Sequence, residues 1–167
     1  MANPTDQITL DPAAKKAALR MFTYGLYAIG VAHGEDRNMF TANWLTQVSF
    51  EPPLVSISVE NDGHSIGLLR ESGVFAISVF STDQREQAGA LGKRWKLRPD
   101  KIGDVRNRPG VTGCPVLEDA PGVVECRVID QMAAGDSTVF LAEVIHAEVQ
   151  GDAQPLTMQE AGFRHAG

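Results

Sequence analysis

The residues with the types and spacing to do chemistry are concentrated in residues 38–59. Thr41, Asn43, Thr46, Gln47 and Ser49 stand there among Phe40, Ala42, Trp44, Val48 and Phe50 without helical spacing, so hydroxyls and amides lie beside apolar surface. Pro52 and Pro53, after Glu51, lack backbone donors and are expected to hold the chain extended. They separate this polar segment from residues 54–59, Leu-Val-Ser-Ile-Ser-Val, a run of strand formers. A polar strand entering a turn and a buried strand leaving it would make a ledge for a ligand.

Two further stretches could serve that ledge. Asn61, Asp62, Gly63, His64 and Ser65 open a short helix expected over residues 65–71, whose exposed amides and partial positive end could receive an anion. Residues 93–109 carry Lys93, Arg94, Lys96, Arg98, Lys101, Arg106 and Arg108 among Trp95, Leu97 and Ile102, the most basic part of the chain. That stretch reads either as a solvated excursion or as a lid that draws a phosphorylated ligand toward the site.

Other chemistries find little support. Cys114 and Cys126 are too widely spaced for a C-x-x-C redox or zinc motif and read as two reduced thiols. His33, His64, His146 and His165 show no ligand spacing, so no metal site is expected. Neither G-x-G-x-x-G nor G-x-x-x-x-G-K-[ST] occurs, which disfavours Rossmann and P-loop phosphate sites.

The elements that must position these residues are mostly strands. Asp11 and Pro12 form an N-cap followed by proline at the first helical position, predicting a helix that ends near Phe22. Residues 24–33 are β-branched and aromatic, with Gly25 and Gly30 marking tight bends or close backbone approach. A hairpin turn at Gly34, Glu35 and Asp36 leads into the polar segment. Residues 74–80 form a buried strand, and Ser81 with Gln84 gives a capping box for a helix running to about Leu91 and ending at Gly92. Two long strands over 123–132 and 138–149 meet at the Gly135-Asp136 turn. In the first, Glu125 and Arg127 alternate with Val124, Cys126 and Val128, predicting one face in and one face out. About six strands and three short helices, often joined by turns, fit a mainly β, antiparallel closed or split barrel better than a parallel sheet.

The totals set outer limits. At 167 residues the chain is read as one domain, since domains run to about 100–200 residues. Residues 1–10 are expected to form a loose arm, and 150–167 a tail with a short helix near Met158. Fifteen Lys and Arg against 21 Asp and Glu give a net charge of -6 without a basic cluster, which disfavours nucleic acid; an anionic ligand would need a local pocket. No apolar run approaches the roughly 20 residues of a membrane span. The N-terminus lacks the order of a secretion signal, so a cytoplasmic protein is expected.

Five blocks in order resemble the flavin reductase-like family, over residues 19–149. They are Phe22-Thr23-Tyr24-Gly25-Leu26-Tyr27-Ala28-Ile29; Thr41-Ala42-Asn43-Trp44 with Gln47-Val48-Ser49-Phe50 and Pro52-Pro53-Leu54-Val55; Ser72-Gly73-Val74-Phe75-Ala76-Ile77-Ser78-Val79 with Asp83-Gln84; Gly113-Cys114-Pro115-Val116-Leu117-Glu118; and Gly135-Asp136-Ser137-Thr138-Val139-Phe140. The resemblance implies a split β-barrel that binds FMN, with FAD also possible. It further implies Thr41, Ala42, Asn43 and Trp44 along the isoalloxazine, Val48 and Ser49 bracketing the ribityl chain, and Asn61, His64 and Ser65 at the phosphate. Lys93 and Arg94 are weaker phosphate candidates. Taken singly, Thr41 and Ser49 could make turn or strand hydrogen bonds, Trp44 could be core, and His64 could be a helix-start residue.

The implied reaction is NAD(P)H-dependent reduction of flavin, with the protein supplying orientation and a dry surface and no general base. Reduced flavin would go to a partner oxygenase, and the protein would be a homodimer. Met39 stands where the family usually has glycine and Ser137 where it commonly has histidine, so flavin is implied more firmly than the nicotinamide donor. Two other readings stay open: an FMN-binding electron-transfer module reduced by a protein partner, and a non-enzymatic split-barrel binding unit.

Overall fold

The computed structural model describes Thr5 and residues 8–164. Its frame is a seven-stranded antiparallel sheet built from β1 (Tyr27–His33), β2 (Asp36–Ala42), β3 (Leu45–Ser49), β4 (Leu54–Glu60), β5 (Val74–Val79), β8 (Gly122–Ala134) and β9 (Ser137–Val149). The strands run in the order β2-β1-β5-β8-β9-β4-β3. The short strands β6 (Asn107–Pro109) and β7 (Pro115–Leu117) pair as a separate hairpin. The helices are α1 (Pro12–Leu19), α2 (His64–Ser72), α3 (Arg85–Leu91) and α4 (Met158–Ala161).

The sheet does not close. Its two edges, β2 and β3, are consecutive in the chain and joined only by Asn43 and Trp44, yet they do not pair. The split in the barrel therefore lies at the polar segment singled out in the sequence. One core fills the barrel, with Ile29, Val31, Ile57, Val59, Phe75, Ile77 and Phe140 packed against Ile66, Leu68 and Leu69 of α2. A second core lies on the other face, where Leu26, Phe80, Val116 and Leu117 meet Ala88 and Leu91 of α3 and Leu156, Met158 and Ala161 of the tail. Both faces of β1 and β5 are thus buried, which explains their near-continuous apolar runs.

Local signals account for much of this framework. The Asp11 side chain accepts from the amides of Ala13 and Ala14, capping α1. His33 pairs with Asp36 across a two-residue turn in which Gly34 has φ of 60°. Gly30 allows the β7 backbone to approach, since a Cβ there would overlap the Pro115 carbonyl. The capping box between Ser81 and Gln84 is present; it governs a short 3-10 turn, Thr82–Gln84, that leads into α3.

Several expectations are corrected. Residues 50–53 form a turn between β3 and β4 rather than an extended spacer, because β3 folds back to pair with β4. Helix α1 stops at Leu19, short of Phe22, and buries none of its residues within one chain. Strands β6 and β7, three residues each, are too short to show a period. Glu125 keeps the alternation, on the face opposite Val124, Cys126 and Val128, yet it is fully buried rather than facing solvent, because the loop leading into β7 covers that face. Its carboxyl oxygens accept from Val111 N at 2.7 Å, Thr112 N at 2.8 Å and Thr112 Oγ1 at 2.5 Å, tying down the loop that leads into β7.

Cys114 and Cys126 are both free and buried. Burial pushes the Cys126 thiol up to about 12, with the Glu125 carboxyl adding to the effect. Among the described residues no group of three or more His, Cys, Asp or Glu could hold a metal ion, and no helix is long and apolar enough to cross a membrane.

Candidate functional site

At the split between the sheet edges lies a cleft of about 970 Å³. One wall is the end of β2 and its continuation, Phe40, Thr41, Ala42, Asn43 and Trp44, with Ser58 and Val59 of β4 beside it. The start of α2, with Gly63, His64 and Ser65, forms one end, and α3 with the following loop faces it. Phe163 and Arg164 of the tail complete the lining.

The tail reaches this place through backbone pairing. Leu26 N donates to Leu156 O, Leu156 N to Phe80 O and Met158 N to Tyr24 O. Thr157 and Glu160 then form a capping box that starts α4. Helix α4 lies at the place near Met158 expected from the sequence.

The cleft gathers six of the nine residues proposed from the sequence. Thr41 Oγ1 donates to Ala88 O at 2.6 Å, fixing the ledge to α3. Ala42 and Asn43 are buried, and Asn43 Nδ2 donates to the Met158 thioether at 3.5 Å. Trp44 remains about one-third exposed, at 36%, and its carbonyl accepts from Ser58 N.

His64 and Ser65 occupy the α2 end. The His64 ring stacks on Trp95 with centroids 4.1 Å apart and planes at 16°. His64 Nε2 lies 3.0 Å from Asp36 Oδ2, near enough for electrostatic pairing, yet it lacks hydrogen-bond alignment with any partner. Ser65 Oγ accepts from Asn38 Nδ2 at 2.8 Å.

The other three residues do not line this cleft. Val48 is the unpaired, bulged residue of β3 and faces solvent, and Ser49 follows it. Asn61 turns toward the β8–β9 connection: its amide donates to Asp136 O, and its Oδ1 accepts from Thr138 Oγ1 at 2.7 Å.

The basic stretch contributes more than its solvated reading allowed. Lys93, Arg94, Trp95, Lys96 and Lys101 all line the cleft. Lys101 is only 3% exposed, and its Nζ donates at 2.7 Å to both Leu91 O and Lys93 O. Those carbonyls belong to the end of α3 and the residues just beyond it, where helix carbonyls lack intrahelical partners and the dipole favours a cation. Burial nevertheless lowers the Lys101 ammonium to about 8. With Arg164, five cationic side chains face the cleft against the carboxyls of Glu60 and Asp62. A chain of net charge -6 thus carries a locally positive cleft.

Asn38, Trp95, Lys101 and Phe163 were not among the residues proposed from the sequence. For Lys101, 10 residues past the end of α3, the available signal was its place in the basic stretch; for Asn38 it was its place at the start of residues 38–59.

The cleft combines aromatic and aliphatic walls, hydroxyl and amide groups along one edge, and cations with a helix start at one end. Those are the requirements of a flat heteroaromatic ligand with an anionic tail, and the residues fit a flavin nucleotide.

Comparison with known proteins agrees. The sequence profile of the flavin reductase like domain matches residues 19–167. An NADH-dependent flavin reductase from Rhodococcus sp is 31% identical over 160 residues, covering 92% of this chain and 85% of that protein. The solved NADH:FAD oxidoreductase of Streptomyces globisporus, also solved in complex with NAD and FAD fragments, superposes with a TM-score of 0.81 at 28% identity, covering 96% of this chain. It is matched over 98% of its own length. The flavin reductase component of a bacterial two-component tryptophan halogenase gives a TM-score of 0.81 at 30% identity, covering 92% of this chain and 97% of that one. The chain spans about half the length of some relatives it matches, 45% in the case of one from Rhizobium meliloti. With the profile spanning nearly all of the chain and the split antiparallel barrel in place, the protein belongs to the flavin reductase like domain family.

Proposed function

We propose that the protein is an NAD(P)H-dependent flavin reductase that holds FMN or FAD in the cleft at the barrel split. The observation that carries this reading is the cleft's composition: five cations in an acidic chain, set beside Trp44, Trp95, Phe40 and Phe163. Thr41, Ala42, Asn43 and Trp44 would line the isoalloxazine, while His64 and Ser65 would take the phosphate with help from Lys93 and Arg94. Asn61 would act at one remove, by fixing the turn that leads into α2. When bound, flavin supplies the redox chemistry, taking a hydride equivalent from a reduced nicotinamide. The chain's own residues orient the ring, exclude water and neutralise the phosphate.

Val48 and Ser49 would serve in a homodimer rather than in their own chain's cleft. Val48 and Phe50, on the hairpin that follows the free sheet edge, face solvent in a single chain, and a second copy would cover them. Sedimentation at micromolar concentration is expected to give a dimer; a monomer would contradict this part of the reading. A relative that is the flavin reductase component of a two-component halogenase supports an enzyme that delivers reduced flavin to a partner oxygenase, and a cytoplasmic location is part of this proposal. Titration with FMN and FAD, followed by flavin fluorescence, tests the whole: saturable quenching is expected, and absence of binding to either would refute it.

One observation favours an electron-transfer module instead. Ser137 offers no imidazole, and its Oγ is spent on Asp136 Oδ1 at 3.0 Å. Bleaching of bound flavin by a protein donor but by neither NADH nor NADPH would select that reading. A normal dimer without flavin affinity would select a non-enzymatic binding unit.

A further inference from the structure

Asn38 is a buried amide with half of its hydrogen-bonding capacity unused. It lies on β2 at 2% exposure, lines the cleft, and donates from Nδ2 to Ser65 Oγ at 2.8 Å. Its Oδ1 is buried and has no hydrogen-bond partner. Buried amides in native proteins normally satisfy both ends, so an orphaned acceptor beside a ligand cleft indicates a missing donor.

The direction of the one bond it makes has a consequence for Ser65. A serine hydroxyl has a single proton and accepts through its lone pairs. Because Asn38 donates into Ser65 Oγ, the Ser65 proton remains available for another acceptor. Ser65 is the second residue of the nine-residue helix α2, whose N-cap is Gly63 and therefore carries no side-chain cap. The first-turn amides of such a helix have no intrahelical acceptors. Donors from the hydroxyl and from the helix start thus occur together, with an acceptor, Asn38 Oδ1, next to them.

We propose that Asn38 is a positioning residue that turns the Ser65 hydroxyl into a phosphate donor, while its own Oδ1 accepts from a hydroxyl of the same ligand. The ligand class is a phosphate ester with a hydroxyl-bearing chain, such as the ribityl phosphate of a flavin nucleotide. The inference rests on the flavin reading above and adds a residue that reads two neighbouring groups of the ligand with opposite ends of one amide.

The two ends can be separated by substitution. Asn38→Asp keeps an acceptor for the ligand hydroxyl, but it can only accept from Ser65, so it draws the serine proton away from the cleft and adds a negative charge. Ser65→Ala removes the phosphate donor and the acceptor for Asn38 Nδ2, while leaving Asn38 Oδ1 for the ligand hydroxyl. Asn38→Leu removes both functions while keeping the same number and branching of side-chain heavy atoms.

Dissociation constants for FMN, FAD and riboflavin, which lacks the phosphate, are measured with flavin-free protein by fluorescence titration. Wild type is expected to bind FMN or FAD more tightly than riboflavin. Ser65→Ala should weaken phosphorylated flavin about 10-fold and leave riboflavin within about 2-fold. Asn38→Asp should weaken it about 100-fold, again sparing riboflavin. Asn38→Leu should weaken all three, riboflavin by about 5-fold. Equal losses for riboflavin and FMN in Asn38→Asp, or an unchanged preference in Ser65→Ala, would overturn the proposal while leaving the flavin reading intact. Should Asn38→Asp fail to fold, Asn38→Leu decides: riboflavin affinity left unchanged by it would overturn the proposal. Wild type that binds no flavin would overturn both.

Discussion

Lys101 links the charge of the cleft to pH in a range that is easy to reach. Its ammonium is buried behind the end of α3, donates to two carbonyls at 2.7 Å, and is lowered by burial from 10.5 to about 8. Raising the pH through about 8 therefore removes one of five cations from the cleft. The phosphate of FMN has its second ionisation near about 6, so it stays doubly charged throughout this window. If binding requires the charged ammonium, the FMN dissociation constant should rise about 10-fold between about pH 7 and about pH 9. Riboflavin carries the same ring without the phosphate, so its profile cancels ionisation of the ring and of the apolar walls.

The same group makes an opposite contribution to stability. Its folded value lies below its unfolded one, so between about 8 and 10.5 the unfolded chain binds more protons, and stability rises with pH across that window. At about 1.36 kcal/mol per pH unit the full rise is at most about 3 kcal/mol. Fluorescence titration of FMN and riboflavin, with urea denaturation at each pH, reads both effects in wild type and in Lys101→Met. The variant should bind FMN with a flattened pH profile and lose the stability rise. Parallel FMN and riboflavin profiles in wild type, or an unchanged FMN profile in Lys101→Met, would refute the assignment.

Two further outcomes are expected. Glu125→Gln places an amide donor against the donors of Val111 and Thr112, which should destabilise the protein by about 2–3 kcal/mol in urea denaturation while leaving FMN affinity unchanged; a loss of FMN affinity would place Glu125 in the site. Trp95→Ala removes the stack on His64 and should weaken FMN binding about 5-fold with little effect on the urea midpoint; unchanged affinity would show that the stack does not shape the cleft.

What was legible in the sequence follows from the range of the forces involved. Asp11, Gly34, and the Ser81 and Gln84 pair act on neighbours within a few residues, so caps and turns could be read directly. The apolar runs of β1, β4 and β5 exposed their burial in the same way. The ledge was readable because Thr41, Asn43 and Trp44 are contiguous. Glu125 could not be placed, since its burial depends on a loop that covers the outer face of β8 and whose amides it satisfies, which has no local signature. The same applies to Trp95, which meets His64 only once α2 and the loop after α3 come together across the cleft, and to Lys101, which reaches Leu91 O and Lys93 O only when that loop folds back on the end of α3. Asn61, expected at the phosphate, lies outside the cleft lining: its backbone amide donates to Asp136 O and its Oδ1 accepts from Thr138 Oγ1, contacts across the chain that spacing alone does not show.

The central claim is that this cleft holds a flavin that a nicotinamide can reduce. Anaerobic stopped-flow mixing of the flavin-saturated protein with NADH, and separately with NADPH, tests it most directly. Rapid saturable bleaching of the flavin absorbance by at least one of them is the predicted result. Flavin that stays bound and oxidised with both would contradict it.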